Sequence, residues 1–548
     1  MAVPPQIEAH IQGPLDAHEN EPEPAPTKAR KPLGFYLAFA GLALAVFVFQ
    51  VDATALGISI PTIAEELHGT SLEAFWASIA YSLCVIASQL QWAAFSTSFG
   101  RKIPLLISMV FFGAGSIAFA LARDMATLIA GRALQGFGGG GIDVLAEIIL
   151  ADITTLEERS LWLGLMGIPI AVGNIMGPII SALFTSYVTW RWLGWLNLPV
   201  LGVSLPLIIV FLRTKAVDPD VPKRTKLQRM DWVGMTVSVV GILALVLPVS
   251  WAGSLYPISS WRSILPLVLG IVILAVFLWY ESRPEYPIVP LRLFTNRTAS
   301  MTLGGAFVHG VLLSAILQYI PLLFQSVELQ SVIDSAVSML PASIVSVVAA
   351  VGAMGLVSLA GGGYAWVIRG SWVVLTVGTG ILALINIGST RSEIQGYPIL
   401  WGTGVALLRL LILPMQASVK NVDDTGLATS LLLFVRFLGS LVGLAIASST
   451  FNSVFSRNLS SISEDLHGPL AQLENSNQAI AFIPQLKLLQ NQVSPDLLTA
   501  VLRVYLEGFR TVFYVMTGIA VLGFITSLFT RELSLKNRES SAQAFEEK

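Results

Sequence analysis

The chain has 548 residues, of which 54% are hydrophobic and only 12% charged, with a mean hydropathy of +0.73. An ordinary water-soluble domain is about one-quarter charged, so the composition excludes that class and implies an all-α polytopic membrane protein. The net charge of −2 says little about partners, no nucleic acid is expected, and the lone Cys84 excludes an intrachain disulfide and a Cys-rich metal site.

Residues 1–33 are rich in Pro and Glu, lack an apolar core and include the basic cluster Lys28, Arg30 and Lys31. They read as a disordered cytoplasmic tail rather than a cleaved signal peptide. Runs of roughly 20 apolar residues then predict about fourteen spans. They lie near 34–59, 74–96, 103–122, 125–151, 160–184, 192–212, 232–251, 262–281, 300–324, 335–359, 371–389, 397–417, 426–451 and 511–530. With the N-terminus inside, the loops and tails expected in the cytoplasm hold about 21 of the 32 Lys and Arg, the outer loops about 8. The basic segment 213–231 follows six spans and reads as a cytoplasmic linker; 282–299 is a second, and 531–548 a cytoplasmic tail. The outer loop 452–510 is long and polar, with one weakly amphipathic stretch, Ile480 to Leu489. It carries the sequon Asn458-Leu459-Ser460, a glycosylation candidate; Asn296-Arg297-Thr298, expected inside, should be unused.

The fourth span, GRALQGFGGGGIDVLAEIILAD from Gly131 to Asp152, sets Arg132, Gly136, Gly139, Asp143 and Glu147 in one helical sector, with Gln135 at its edge. A charge at bilayer depth costs at least ~2.5–3.5 kcal/mol, so this face needs a partner or an aqueous cavity. Asp52, in the outer part of the first span, is the protonatable candidate of the first half. Asp143 and Glu147 are an i, i+4 pair that fits a proton site; alternatively Glu147 bridges to a cytoplasmic arginine such as Arg101. Gln50, Gln135, His309, Gln318, Tyr319 and Arg409 are candidates to line a substrate cavity, with Arg409 favouring an anionic or polar compound. Arg436 reads as structural. No GxxxxGK[ST] loop and no HExxH occurs, so neither ATP hydrolysis nor zincin chemistry is indicated, and no cofactor is expected.

Taken in order, the segments FQVDATALGISIPTIA around Asp52, SFGRK (Gly100, Arg101, Lys102), the fourth span, GNIMGP from Gly173 to Pro178 and WRWLGWLNLP from Trp190 to Pro199 resemble the major facilitator superfamily. QYIPLLFQSV (Gln318 to Val327), MLP (Met339 to Pro341), GGGYAWVIRG (Gly361 to Gly370) and ATSLLLFVRFLG (Ala428 to Gly439) fit the same pattern. The nearest likeness is to its fourteen-span drug:proton antiporters, particularly fungal toxin and multidrug efflux pumps. The resemblance implies the major facilitator fold: six-helix bundles at 34–212 and 300–530, two inserted spans at 232–281, and a central cavity that alternates in access. It also implies proton coupling through Arg132, a gating loop at Gly100 to Lys102, and an exporter motif at Gly173, Gly177 and Pro178.

The loop after the second span departs from the family pattern, because Thr97 stands where a carboxylate is usual; the cytoplasmic latch is therefore weakened or rebuilt. The expected function is export of a small amphipathic compound in exchange for protons by a monomer in the cell membrane, or alternatively the vacuolar membrane. A siderophore-type importer and a non-transporting sensor or scaffold are the alternatives.

Overall fold

The structure, a computed structural model, describes residues 31–535 except 216, 218–219, 252–259, 285, 420–423, 461, 463–469, 471–472, 474–478 and 491. Residues 1–30 of the tail expected to be disordered and 536–548 of the expected C-terminal tail lie outside the described residues. The first half consists of α1 (Leu33–Glu66), α2 (Ser71–Phe99), α3 (Lys102–Ala120), α4 (Met125–Ile153), α5 (Leu156–Tyr187) and α6 (Trp192–Phe211). A short α7 (Lys223–Gln228) precedes the pair α8 (Trp232–Trp251) and α9 (Trp261–Tyr280). The second half holds the 3-10 turn η1 (Leu291–Thr295), α10 (Arg297–Val327), α11 (Val332–Ser338), α12 (Leu340–Ala360), α13 (Tyr364–Leu382) and α14 (Arg391–Leu407). It continues through η2 (Leu408–Leu411), α15 (Ile412–Ala417), α16 (Thr425–Leu459), α17 (Ala479–Leu489) and α18 (Pro495–Leu528).

Among the described residues, thirteen segments are long and apolar enough to cross a membrane, counting α11–α12 as one and α14–α15 as another. The charge-bearing α4 is the fourteenth. Helix α1 packs on α5 and α6, and α4 on α2 and α3; in the other bundle α10 packs on α16 and α18, and α13 on α14 and α18. The two bundles meet along α5–α12, α2–α16 and α4–α16, while α8 and α9 pair with each other and α8 also touches α2 and α16.

Local chemistry sets the helix ends. Capping boxes at Thr70–Glu73, Thr155–Glu158 and Thr390–Glu393 satisfy N-terminal amides that have no partner within the helix. Helix α2 stops at Gly100, whose φ of 82° is readily adopted only without a side chain. Helix α4 has no lipid-facing surface over its second half: every residue from Gly138 to Ile153 is buried. Its glycines allow this, since a Cβ at Gly136 or Gly140 would collide with the α2 backbone at Tyr81 or Val85, and one at Gly138 with α3 at Ser108 and Phe112. Backbones in such close contact gain dispersion energy where lipid offers no hydrophobic drive.

Three predicted boundaries shift. The span expected at 371–389 is helical over Tyr364–Leu382, because Arg369 is tied to the carbonyls of Ser527 and Thr530 and so belongs to the folded turn, not to a loop. The last span begins at Pro495 rather than 511, and α16 runs on to Leu459. The connection expected at 452–510 therefore shrinks to 460–494, within which the amphipathic stretch forms α17 and buries Phe482, Ile483 and Leu486.

Candidate functional site

Inside the first bundle a closed polar network joins four helices. Arg132 Nη1 donates to Asp52 Oδ2 at 2.7 Å and to Gln135 Oε1 at 3.0 Å. Asp52 Oδ1 accepts from Gln135 Nε2 at 3.1 Å and Asn197 Nδ2 at 3.0 Å, and both amides also donate to Ser116 Oγ. The guanidinium lies 4.3 Å from the centre of the Tyr81 ring, a cation–π contact that covers its face. All five members are buried. The sequence places Asp52, Arg132 and Gln135 beside a cavity; the structure places them within the bundle, each already bonded to the others.

The carboxylates about three and four turns beyond Arg132 on α4 point elsewhere. Asp143 Oδ2 accepts from Gln89 Nε2 of α2 at 2.9 Å. Glu147 Oε1 is ion-paired with Arg409 Nη2 of η2, 2.5 Å away, across the seam between the bundles, and its Oε2 is buried without a partner. The sequence allowed Glu147 to bridge to Arg101, and this is corrected: Arg101 Nε instead donates to Asp152 Oδ2 at 2.8 Å, with Nη1 on Ser96 Oγ at 2.7 Å. Arg409, expected to face the substrate, is engaged by Glu147 instead. Arg436 of α16 lies within electrostatic reach of Asp143, Glu147 and Arg409, and it makes no hydrogen bond or ion pair through its guanidinium among the described residues.

The remaining cavity candidates divide. His309 is buried, hydrogen-bonded to the Val405 carbonyl, with Nε2 unpartnered. Tyr319 is buried against Phe451 and Phe509, with ring centres 6.1 and 5.9 Å away, and packs the second bundle instead of lining a path. Gln318 is exposed and Gln50 half-buried.

At the end of the bundles nearest the 213–231 linker, the loop after α2 is tied to α4 through Arg101. Arg101 donates to Asp152 of α4, and the Thr97 hydroxyl accepts a 3.5 Å bond from the same guanidinium. A Cβ on Gly426 of α16 would strike Arg101, so this arginine also abuts the second bundle. Lys102 Nζ donates to the Ile209 carbonyl at 2.7 Å. Two further links cross the seam at this end: Arg159 Nη1 to Gln416 Oε1 at 3.0 Å, and Ser358 Oγ to the Glu157 carbonyl at 3.1 Å. On the opposite flank Gly173 and Gly177 lie against α1, where a Cβ would collide with Gln50 and Phe47 or with Thr54 and Val51; Pro178 follows within α5. Asn458 is half-buried in the last turn of α16, and Asn296 caps α10, accepting from Thr298 N at 2.9 Å.

Sequence reasoning did not single out Ser116, Asn197, Gln89 or Gln416 as site residues. Each is a polar side chain within an apolar helix, and that is the signal that could have found them.

The Major Facilitator Superfamily pattern matches residues 42–444. The "MFS-type transporter sphD" of Aspergillus fumigatus is 55% identical over 533 residues, covering 97% of this chain and 92% of that protein. The "Efflux pump FUS6" of Gibberella fujikuroi is 32% identical over 94% of this chain and 92% of its own. The solved structure of the proton:xylose symporter XylE superposes with a TM-score of 0.57 at 13% identity, over 92% of this chain and 98% of that one, a likeness of fold alone.

Proposed function

The chain belongs to the Major Facilitator Superfamily, and from that premise we propose that it is a secondary active transporter exporting a small amphipathic organic compound in exchange for protons. Residues 34–212 and 300–530 are the two moving bundles, 232–281 the insertion, and the linker end faces the cytoplasm. The observation that carries this reading is the Glu147–Arg409 ion pair across the bundle seam. Efflux-pump relatives support the direction.

In this reading the ion pair, with Arg159–Gln416 and Ser358–Glu157, latches the cytoplasmic end while the path opens outward. A proton entering from outside neutralises Glu147, with Asp143 one turn away as its relay partner. Arg409 then loses the charge that held it, and the bundles part on the cytoplasmic side. Substrate enters from the cytoplasm and the proton leaves there. Re-ionised Glu147 recaptures Arg409, and the cycle returns the substrate to the outside. Proton movement inward and substrate movement outward are thus alternatives at one pair of charges. Arg436, whose guanidinium makes no hydrogen bond or ion pair among the described residues, favours substrates with an acidic or strongly hydrogen-bond-accepting group. The Asp52–Arg132 network acts as the buried frame that fixes α4 while the seam opens.

The test is transport by the purified protein in proteoliposomes, with substrate found by screening a deletion strain for retained toxins and antifungals. Substrate-dependent proton flux that disappears in Glu147→Gln is expected. Proton-driven inward accumulation would overturn export, and unchanged flux in Glu147→Gln would overturn the coupling assignment.

A further inference from the structure

A second acidic pair lies away from the seam, at the linker ends of the two inserted helices. Asp231, the residue before α8, accepts through Oδ1 from Gly234 N at 2.8 Å and from Tyr280 Oη at 3.0 Å. Glu281 caps α9 and is only 2% exposed; its Oε2 accepts from Val289 N at 2.9 Å. The other oxygen of each, Asp231 Oδ2 and Glu281 Oε1, is buried without a donor. Both converge on the space left by the missing side chain of Gly234, where a Cβ would collide with the two together. The carboxyl groups are within hydrogen-bonding reach of one another.

Among the described residues no base is paired with either of them. Arg283 lies over the Trp279 ring at 3.8 Å, and Arg229 lies 5.7 Å from the centre of the Tyr286 ring. Lys226 Nζ is bonded to the Val217 carbonyl. From α2, the neighbouring polar group on α8 is the neutral Gln91, on Ser238. Asp231 is the charged group that acts on Glu281. Two ionised carboxylates in a buried site repel, and each would leave an acceptor facing an acceptor. One proton between them turns the repulsion into a charge-assisted O–H···O bond.

We propose that Asp231 and Glu281 share a proton, forming a proton-binding site that fastens the inserted helices to the 282–290 connector. The connector runs on to η1, where Arg292 forms a bidentate 2.6 Å pair with Asp424 of the second bundle. The shared proton thus sits in the path from the insertion to the moving half. Burial and the Asp231 charge push the Glu281 carboxyl up to about 7 from 4.5. A carboxyl raised on folding binds more protons in the folded state, so the fastening is complete below 4.5 and is lost as pH rises towards about 7.

The site does not depend on the transport reading, and its test uses the purified full-length protein in detergent. Thermal unfolding midpoints are followed across this pH range for wild type, Glu281→Gln and Asp231→Asn, with infrared difference spectra of the protonated carboxyl band. The expected wild-type midpoint falls as pH rises, and the fall is reduced at least by half in each variant. The carboxyl band that titrates in wild type is absent from both. At the alkaline end Glu281→Gln should equal or exceed wild type, since its amide donates where the proton has gone. An undiminished pH slope in both variants would overturn the proposal, as would a persistent band. Stabilisation that follows added Mg²⁺ or Ca²⁺ instead of pH would replace the proton by a metal and equally overturn it.

Discussion

Glu147 of α4 and Arg409 of η2 stand 262 residues apart in the chain and meet as an ion pair between the two bundles. Such a pair stabilises one arrangement of the bundles over another, because its two halves belong to different bundles. Breaking one partner of a buried pair costs about 3–5 kcal/mol, most of it from the charge left behind. Glu147→Gln should therefore favour opening at the linker end. In a Cys84→Ser background, cysteine probes placed along that end of α5 and α12 should label several-fold faster in the variant than the same probes do with Glu147 intact. The swap Glu147→Arg with Arg409→Glu should restore slow labelling.

The Asp52 network predicts a different phenotype. Arg132→Ala strands the Asp52 carboxylate within the first bundle and should destabilise the folded protein by about 3–5 kcal/mol. Asn197→Ala removes one of the donors and should cost about 1–3 kcal/mol. Thermal unfolding in detergent should rank them in that order, with Asp52→Asn/Arg132→Gln recovering part of the loss. A ranking in which Asn197→Ala is the more damaging would refute the network's assignment as a frame.

At the loop after α2, Asp152 holds Arg101, and Thr97 stands where the resemblance leads one to expect a carboxylate. Asp152→Asn should therefore loosen the linker end, and adding Thr97→Asp to it should restore function, since that position already lies 3.5 Å from Arg101. Thr97→Asp alone should change little. Failure of the double variant to recover transport would show that the two carboxylate positions are not equivalent.

The approach of α1 to α5 predicts intolerance of the smallest side chain. A methyl at Gly177 would strike Thr54 Oγ1 and the Val51 carbonyl, and overpacking of this kind costs about 1–3 kcal/mol. Gly177→Ala should reach the membrane at reduced yield and lose most transport. Gly177→Ala/Thr54→Ala, which removes one of the two obstacles, should regain part of it.

Much of the fold was legible because a membrane span is a local property of the chain. Fourteen apolar runs, their approximate lengths and the odd behaviour of the fourth follow from side-chain composition alone. The boundaries that moved did so where a polar residue gained a tertiary partner: Arg369 on the carbonyls of α18, or Tyr505 Oη on the Ala479 carbonyl at the start of α17. These partners lie far along the chain, and nothing local announces them.

The site divides in the same way. The sequence by itself determined that Asp52, Arg132, Asp143, Glu147, Arg409 and Arg436 needed explaining, since burying a charge in an apolar span is costly whatever surrounds it. Only the tertiary structure decided which carboxylate meets which arginine. That choice rests on the rotation and depth of each helix, and α4 shows why. Arg132 turns inward to Asp52 of α1, whereas Glu147, on the same face fifteen residues later, turns outward to Arg409. A helix of 29 residues spans several neighbours, and one face passes from the interior of one bundle to its border with the other.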